Sequence, residues 1–310
     1  MGKVAFIFPG QGAQYVGMGK EIADKYNSAR KVYDEATEAL GFDVGEMIFN
    51  SDDETLKITE NTQPTIVTTS IACMQPLLEK GIKPDYVAGL SLGEYAAHVA
   101  AGTISFKDAV SLVRKRGKYM QEAVPVGVGA MAAIIGLESN DVIDCCKEAS
   151  QIGIVEPANF NCPGQIVVAG ETEAVEKAVE LCNAKGAMRA MLLPVSAPFH
   201  CSLLKPAGEK LAVELEKVTL NDIKIPVITN VTGDVVTEKD IVKELLIKQV
   251  STSVLWEKCI RTMLSEGVAT FVEIGPGKVL SGFVKKIDRS VKVINVENLK
   301  TLDNAFEILA

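Results

Sequence analysis

The sequence predicts a mixed α/β fold: a large domain on a mostly parallel sheet, with a small ferredoxin-like βαββαβ subdomain inserted in it. Three observations lead there. Short apolar, β-branched runs alternate with longer amphipathic stretches, as strands and helices do in an α/β protein. Between residues 127 and 193 the elements shorten and recur as strand, helix, strand, strand, helix, strand. The 310 residues are 47% hydrophobic and 23% charged, ample apolar material for a core.

Residues 4–8 form a first strand, ended by Pro9-Gly10. Residues 21–40 and 65–80 read as helices, the second kinked or shortened by Pro76. A short buried strand at 86–88 meets Gly89-Leu90-Ser91-Leu92-Gly93, and good helix formers follow over 94–101. A further helix spans 106–123. Within the insert the strands are 130–136, 152–158, 165–169 and 188–193, and the helices 139–149 and 172–184. After Pro194 the large domain resumes with a strand at 225–230, helices at 239–249 and 254–266, and a strand at 270–274. Gly275-Pro276-Gly277 then turns the chain into a helix over 278–287. The expected division is 1–126 with 198–310 for the large domain and 127–197 for the subdomain.

Composition excludes several functions. A net charge of -8 argues against a generic nucleic-acid or anionic-membrane binder, which needs a basic surface. No apolar run approaches membrane-spanning length, and the opening strand is too short and wrongly flanked for a signal peptide. The seven cysteines are odd in number, dispersed and without Cys-x-x-Cys spacing, which fits reduced thiols in the cytoplasm rather than disulfides or a metal site.

Chemistry concentrates at Gly89-x-Ser91-x-Gly93, between a predicted strand and a predicted helix. Glycines let the backbone turn sharply and lift the serine oxygen clear, and the Leu92 amide at the helix start is a natural oxyanion donor. The plainer reading is a glycine-flanked turn with an incidental serine. A nucleophilic serine needs a base, and the chain has only two histidines. His98 lies seven residues along the following helix, roughly 10 Å along its axis, so it reads as a packing or surface residue. His200 sits in Pro194-Val195-Ser196-Ala197-Pro198-Phe199-His200, a proline-stiffened loop suited to hold a side chain over a cleft, and is the better base.

Arg116 falls in the apolar stripe of its helix with Ala109, Leu112, Val113, Gly117 and Met120, while Arg114, Lys115 and Lys118 point elsewhere. An inward arginine needs a buried anion, either a structural carboxylate of the protein or a substrate carboxylate. The loop Pro9-Gly10-Gln11-Gly12-Ala13-Gln14 lacks the third glycine of a dinucleotide fingerprint, because Tyr15 stands there. Gln11 is a candidate second oxyanion donor through its backbone N–H.

These segments together resemble the malonyl-CoA:acyl carrier protein transacylases of bacterial fatty-acid synthesis, relatives of polyketide synthase acyltransferase domains. The resemblance runs from Phe8-Pro9-Gly10-Gln11-Gly12 through Gly89-Leu90-Ser91-Leu92-Gly93-Glu94-Tyr95 and Arg116-Gly117-Lys118-Tyr119-Met120-Gln121. It continues through Asn159-Phe160-Asn161-Cys162-Pro163-Gly164-Gln165, Pro198-Phe199-His200 and Glu273-Ile274-Gly275-Pro276-Gly277. It implies an α/β-hydrolase-like large domain, Ser91 as the acylated nucleophile, His200 as its base, and the amides of Gln11 and Leu92 as the oxyanion hole. It further implies that Arg116 clamps the malonyl carboxylate, that the main-chain carbonyl of Gln249 orients His200, and that Phe199 disfavours branched acyl groups. Leu90 departs from the family pattern, where many members carry histidine. The implied partners are malonyl-CoA and acyl carrier protein, with no nucleic acid and no membrane, in a cytoplasmic monomer. Coenzyme A thioester is then a substrate, with no cofactor or metal expected. Lys285, Lys286 and Arg289 are either a docking patch for an acidic carrier or a solvated helix face.

Two other functions compete. An α/β-hydrolase shares the serine motif, but its histidine follows an acid near the C-terminus, whereas a long stretch follows His200. A non-enzymatic carrier-binding module has no need of an activated serine.

Overall fold

The computed structural model describes residues 2–125, 127–195 and 197–309. Val126 and Ser196, at the expected limits of the insert, lie outside the described residues. Its strands, in chain order, are β1 (Lys3–Phe8), β2 (Tyr86–Gly89), β3 (Gly129–Ile135), β4 (Val155–Cys162), β5 (Gln165–Glu171), β6 (Arg189–Leu192), β7 (Val227–Ile228), β8 (Val235–Val236), β9 (Val268–Ile274) and β10 (Lys292–Val296). They form two sheets, one ordered β10-β9-β1-β2-β7-β8 and the other β4-β5-β3-β6.

In the larger sheet every pairing is parallel except that of β7 with β8. Helices cover both of its faces, so its strands are apolar on both sides rather than alternating. Within β1, Phe6 and Phe8 enter one core cluster while Ala5 and Ile7 enter another, all fully buried. The smaller sheet is antiparallel throughout. Its helices Ser139–Ala149 and Thr172–Ala184 close a third core with Ala132, Ile134, Ile166 and Val168. The strand order and the two crossover helices are those of the predicted ferredoxin-like arrangement.

Several boundaries differ from expectation, each for a local reason. The expected 21–40 helix is two, Lys20–Lys25 and Asn27–Leu40, because Tyr26 between them is extended at φ -116°. The expected 65–80 helix begins earlier and runs as Thr59–Glu79 through both Pro64 and Pro76. Nearly all of it is buried, so tertiary packing outweighs the local cost of proline. The expected 225–230 strand shrinks to Val227–Ile228, since Asn230 turns into the site described below. Residues 239–249 divide into a 3-10 turn at Lys239–Ile241 and an α-helix at Val242–Gln249. The second strand of the insert starts and ends later than 152–158, with Ile152 more than half exposed before it. The chain also forms β8, β10 and the helices Val44–Asn50, Asp53–Lys57, Lys205–Glu216 and Leu299–Leu309, none of which was predicted.

Among the described residues no helix is long and apolar enough to cross a membrane. All seven cysteines are buried and unpaired.

Candidate active site

β2 delivers the chain to Leu90-Ser91-Leu92, and the helix Gly93–Ala100 carries it away. Both flanking glycines are required by close approach. A Cβ on Gly89 would lie 1.9 Å from the Gly93 carbonyl carbon, and one on Gly93 would lie 2.1 Å from the Phe8 oxygen. The turn between them holds Ser91 at φ 52°. His200 is at φ 62°, and among the described residues these two are the only non-glycine positions with positive φ. Backbone strain is thus confined to the two residues that face each other across the cleft.

Ser91 Oγ lies 2.6 Å from His200 Nε2, and His200 Nδ1 lies 2.8 Å from the Gln249 main-chain oxygen. A carbonyl only accepts, so Nδ1 carries the proton and Nε2 is left to accept from the serine hydroxyl. The imidazole is buried, and burial first, then the Arg116 charge, push its pKa down to about 3. It is therefore neutral, the form a base must have. No carboxylate stands behind it; a peptide carbonyl does.

Arg116 projects from the buried face of the helix Phe106–Ala123, beside Leu112, Val113 and Met120. Its Nη1 donates to Gln63 Oε1, and its Nη2 donates to Ser91 Oγ and to Gln249 Oε1, all at 3.0 Å. Nε has no hydrogen-bond partner, and among the described residues no carboxylate comes within ion-pairing distance of the guanidinium. The structural carboxylate left open by the sequence is thus not in direct contact; buried Glu94 acts on the guanidinium only at a distance, with the Gln249 amide between them. Burial holds the arginine pKa below its ordinary value. The other cations of this helix do turn outward: Arg114 pairs with Glu60, Lys115 with Glu214 and Lys118 with Glu122.

These groups line a cavity of about 630 Å³. Gln11 and Leu92 border it along with Ser91, and Phe199 packs against it nearly buried. Met131 and Val167 of the smaller sheet supply an apolar wall, so the cavity lies between the two sheets. Such an arrangement can acylate a serine with a group that carries its own carboxylate: nucleophile, neutral base, and a buried cation 3.0 Å from the nucleophilic oxygen.

Residues 5–302 match the acyl transferase domain family. The malonyl CoA-acyl carrier protein transacylase of Bacillus subtilis is 50% identical over 310 residues, covering 100% of this chain and 98% of that protein. Its counterpart in Escherichia coli K12 is 48% identical, with 93% of each chain covered. The crystal structure of the Clostridium perfringens malonyl CoA-acyl carrier protein transacylase superposes with a TM-score of 0.97 at 50% identity, covering 99% of this chain and 97% of that one.

The chain belongs to the malonyl-CoA:acyl carrier protein transacylase family.

In this transacylase the structure brings together every site residue singled out in the sequence: Ser91, His200, Arg116, Gln11, Leu92 and Phe199 line the cavity, and Gln249 sits behind it. It also adds residues that sequence reasoning missed. Glu94 is fully buried in the first turn of the helix after Ser91 and accepts from Gln249 Nε2 and the Asn230 N–H, both at 2.8 Å. Asn230 in turn accepts from the Ser91 N–H. Only the lack of any exposed reason for a glutamate on an apolar helix hinted at Glu94; Asn230 and Gln63 gave no signal. His98 is fully buried, so it is a packing residue rather than a surface one, and burial lowers its pKa to about 4. Lys285 and Lys286 donate to the Val291 carbonyl and to Gln165.

Proposed function

We propose that this transacylase moves a malonyl group from malonyl-CoA to the phosphopantetheine thiol of acyl carrier protein through a malonyl ester on Ser91. His200 Nε2 accepts the Ser91 proton as the oxygen attacks the thioester carbonyl. The charge that develops on the carbonyl oxygen is taken up by the backbone amides of Gln11 and Leu92. As the tetrahedral species collapses, the C–S bond breaks and His200 returns its proton to the departing coenzyme A sulfur. The carrier thiol then gives its proton to His200, attacks the ester and restores the serine hydroxyl.

Arg116 selects the substrate. Its two terminal nitrogens now bond to uncharged oxygens, and a malonyl carboxylate would give the guanidinium the anion it lacks. That unpaired buried cation, 3.0 Å from a serine oxygen already bonded to a neutral histidine, is the observation that carries the reading. Phe199 narrows the cavity beside the base and would crowd a branched acyl group. Hydrolysis is less well supported, because no acid stands behind His200 to form the usual triad.

The reading extends to the acidic carrier as second substrate. A related malonyl-transacylase, 42% identical with a TM-score of 0.96, is described in complex with a type II polyketide synthase acyl-carrier protein. We further propose that 1–126 with 198–310 act as the large α/β-hydrolase-like domain and 127–197 as a ferredoxin-like subdomain, in a monomer working in the cytoplasm.

Intact-protein mass spectrometry after brief mixing with malonyl-CoA tests this. A malonyl adduct that requires Ser91 and moves to pantetheinylated carrier protein supports the transfer. An adduct released only to water would mark a hydrolase, and no adduct would mark a binding module.

A further inference from the structure

Ser91 holds a backbone conformation that serine disfavours, and neither sheet nor helix alone explains what keeps it there. Its N–H donates to Asn230 Oδ1 at 2.5 Å, while Asn230 Nδ2 donates to the Gly89 carbonyl at 2.8 Å. Its carbonyl accepts from Gln249 Nε2 at 3.0 Å as well as from the Glu94 N–H at 3.1 Å. Side-chain amides therefore grip the Ser91 residue at both ends. Both residues converge on one group, Asn230 through its main chain and Gln249 through its side chain: Glu94 Oε2 accepts from Gln249 Nε2 and from the Asn230 backbone N–H, each at 2.8 Å.

We propose that Glu94 is a positioning residue for acyl transfer, setting Ser91, Arg116 and His200 together through the Asn230 main chain and the Gln249 side-chain amide.

The orientation of the Gln249 amide is the key to it. Its oxygen faces the Arg116 guanidinium at 3.0 Å and its nitrogen faces the Glu94 carboxyl at 2.8 Å, so the amide dipole lies between a cation and an acceptor. Reversed, it would present N–H groups to Arg116. Glu94 thus dictates which way the amide lies and gives the guanidinium an indirect counter-group without occupying the place of a substrate carboxylate. The same residue's main-chain oxygen orients His200, so rotation or displacement of Gln249 would reach the base as well. The second carboxyl oxygen, Oε1, has no hydrogen-bond partner and lies 4.0 Å from His98 Nε2. Glu94 is wholly buried, so solvent cannot replace what it accepts from the two amides.

The inference rests on the proposed acylation of Ser91, and its test separates the two. Rapid-mix mass spectrometry would follow Ser91 acylation in wild type, Glu94→Gln, Asn230→Ala and the double variant, with malonyl-CoA and acetyl-CoA. Loss of the carboxylate should slow acylation by both thioesters, about 10- to 100-fold and by malonyl-CoA at least as much as by acetyl-CoA, in the maximal rate rather than in the half-saturating concentration. The double variant should be little slower than the worse single one, since both act on one network. Glu94→Asp, which keeps the charge, should recover part of the rate and supplies the same cycle if Glu94→Gln fails to fold. A Glu94→Gln rate within twofold of wild type, or strictly additive losses, would overturn the positioning role. Failure of wild type itself to form an adduct would instead overturn the proposed function.

Discussion

At the scale of the residue, the site turns on a cation without an anion. A buried guanidinium that loses its charge partner costs several kcal/mol, and here the protein supplies only amide and hydroxyl oxygens. Binding of a carboxylate-bearing acyl group should relieve that deficit, whereas binding of acetyl should not. Arg116→Ala is therefore expected to lower malonyl transfer by about 10- to 100-fold, from one charge-assisted pair of about 1.5–3 kcal/mol, while acetyl transfer changes far less. Equal losses for the two thioesters would mark Arg116 as structural. The same substitution removes a positive charge that lowers the His200 pKa. With that charge gone the protonated imidazole is less disfavoured, its pKa rises, and the acid limb of Ser91 acylation should move to higher pH. A pH–rate profile of the two proteins checks this. Arg116 could be found in the sequence because one charge in an apolar stripe breaks a 3.6-residue pattern. Glu94 lies in a stripe of small residues next to a motif that already explained its neighbourhood, and Asn230 sits at the end of an ordinary strand pattern, so neither stood out.

At the scale of the element, the strand–turn–helix at β2 was legible because its glycines mark a close crossing, and so was the helix Phe106–Ala123, whose predicted and observed ends coincide. Elements fixed by tertiary packing were not. The helix Thr59–Glu79 keeps two prolines that local rules would use as stops, and Val227–Ile228 is only the remnant of a longer apolar run. The elbow itself makes a stability prediction. Ser91→Ala and Ser91→Gly both lose the hydroxyl and its bonds, but only glycine adopts φ 52° without a Cβ penalty. The glycine variant should be more stable than the alanine variant by roughly 1–2 kcal/mol in urea unfolding, with neither forming an acyl adduct. The following helix carries Glu94 and His98 one turn apart on its buried face, and their linkage to folding has opposite signs. The His98 and His200 pKa values fall to about 4 and about 3, so their contribution to stability is complete above the ordinary 6.5 and is lost as pH falls toward those values. Burial raises Glu94 from 4.5 to about 7, so its contribution is complete below 4.5 and is lost as pH rises to 7. Between pH 6.5 and 4.5 the two effects oppose each other. Glu94→Gln removes the carboxyl term, so its urea midpoint should fall more steeply on acidification than that of wild type.

At the scale of the whole molecule, the nucleophile follows a strand of the larger sheet, while the base lies in a turn beyond β6 of the smaller one, and their 2.6 Å contact depends on how those layers are held. β4 does much of this. Its Phe160 N–H donates to the Val254 carbonyl at 2.9 Å and the Val254 N–H donates to the Ala158 carbonyl at 2.8 Å, which stitches the smaller sheet to the segment just after Gln249. Glu156, on the same strand, accepts from the Ser202 N–H at 2.8 Å and from the Ser202 hydroxyl at 2.7 Å, clamping the chain two residues beyond His200. The positive φ of His200 makes that clamp necessary, because a free loop would relax toward a commoner conformation and withdraw the ring from Ser91. Glu156 never touches the cavity, so its removal should be felt as misplacement of the base rather than as loss of binding. Glu156→Ala is expected to reduce the rate of Ser91 acylation about 10-fold or more, as charge-assisted bonds of about 1.5–3 kcal/mol are lost. The half-saturating malonyl-CoA concentration should stay nearly constant. Stopped mixing with malonyl-CoA at several concentrations separates the two quantities: a change confined to half-saturation would mean that the smaller sheet serves the substrate alone, and a change confined to the rate would mean that it holds the base.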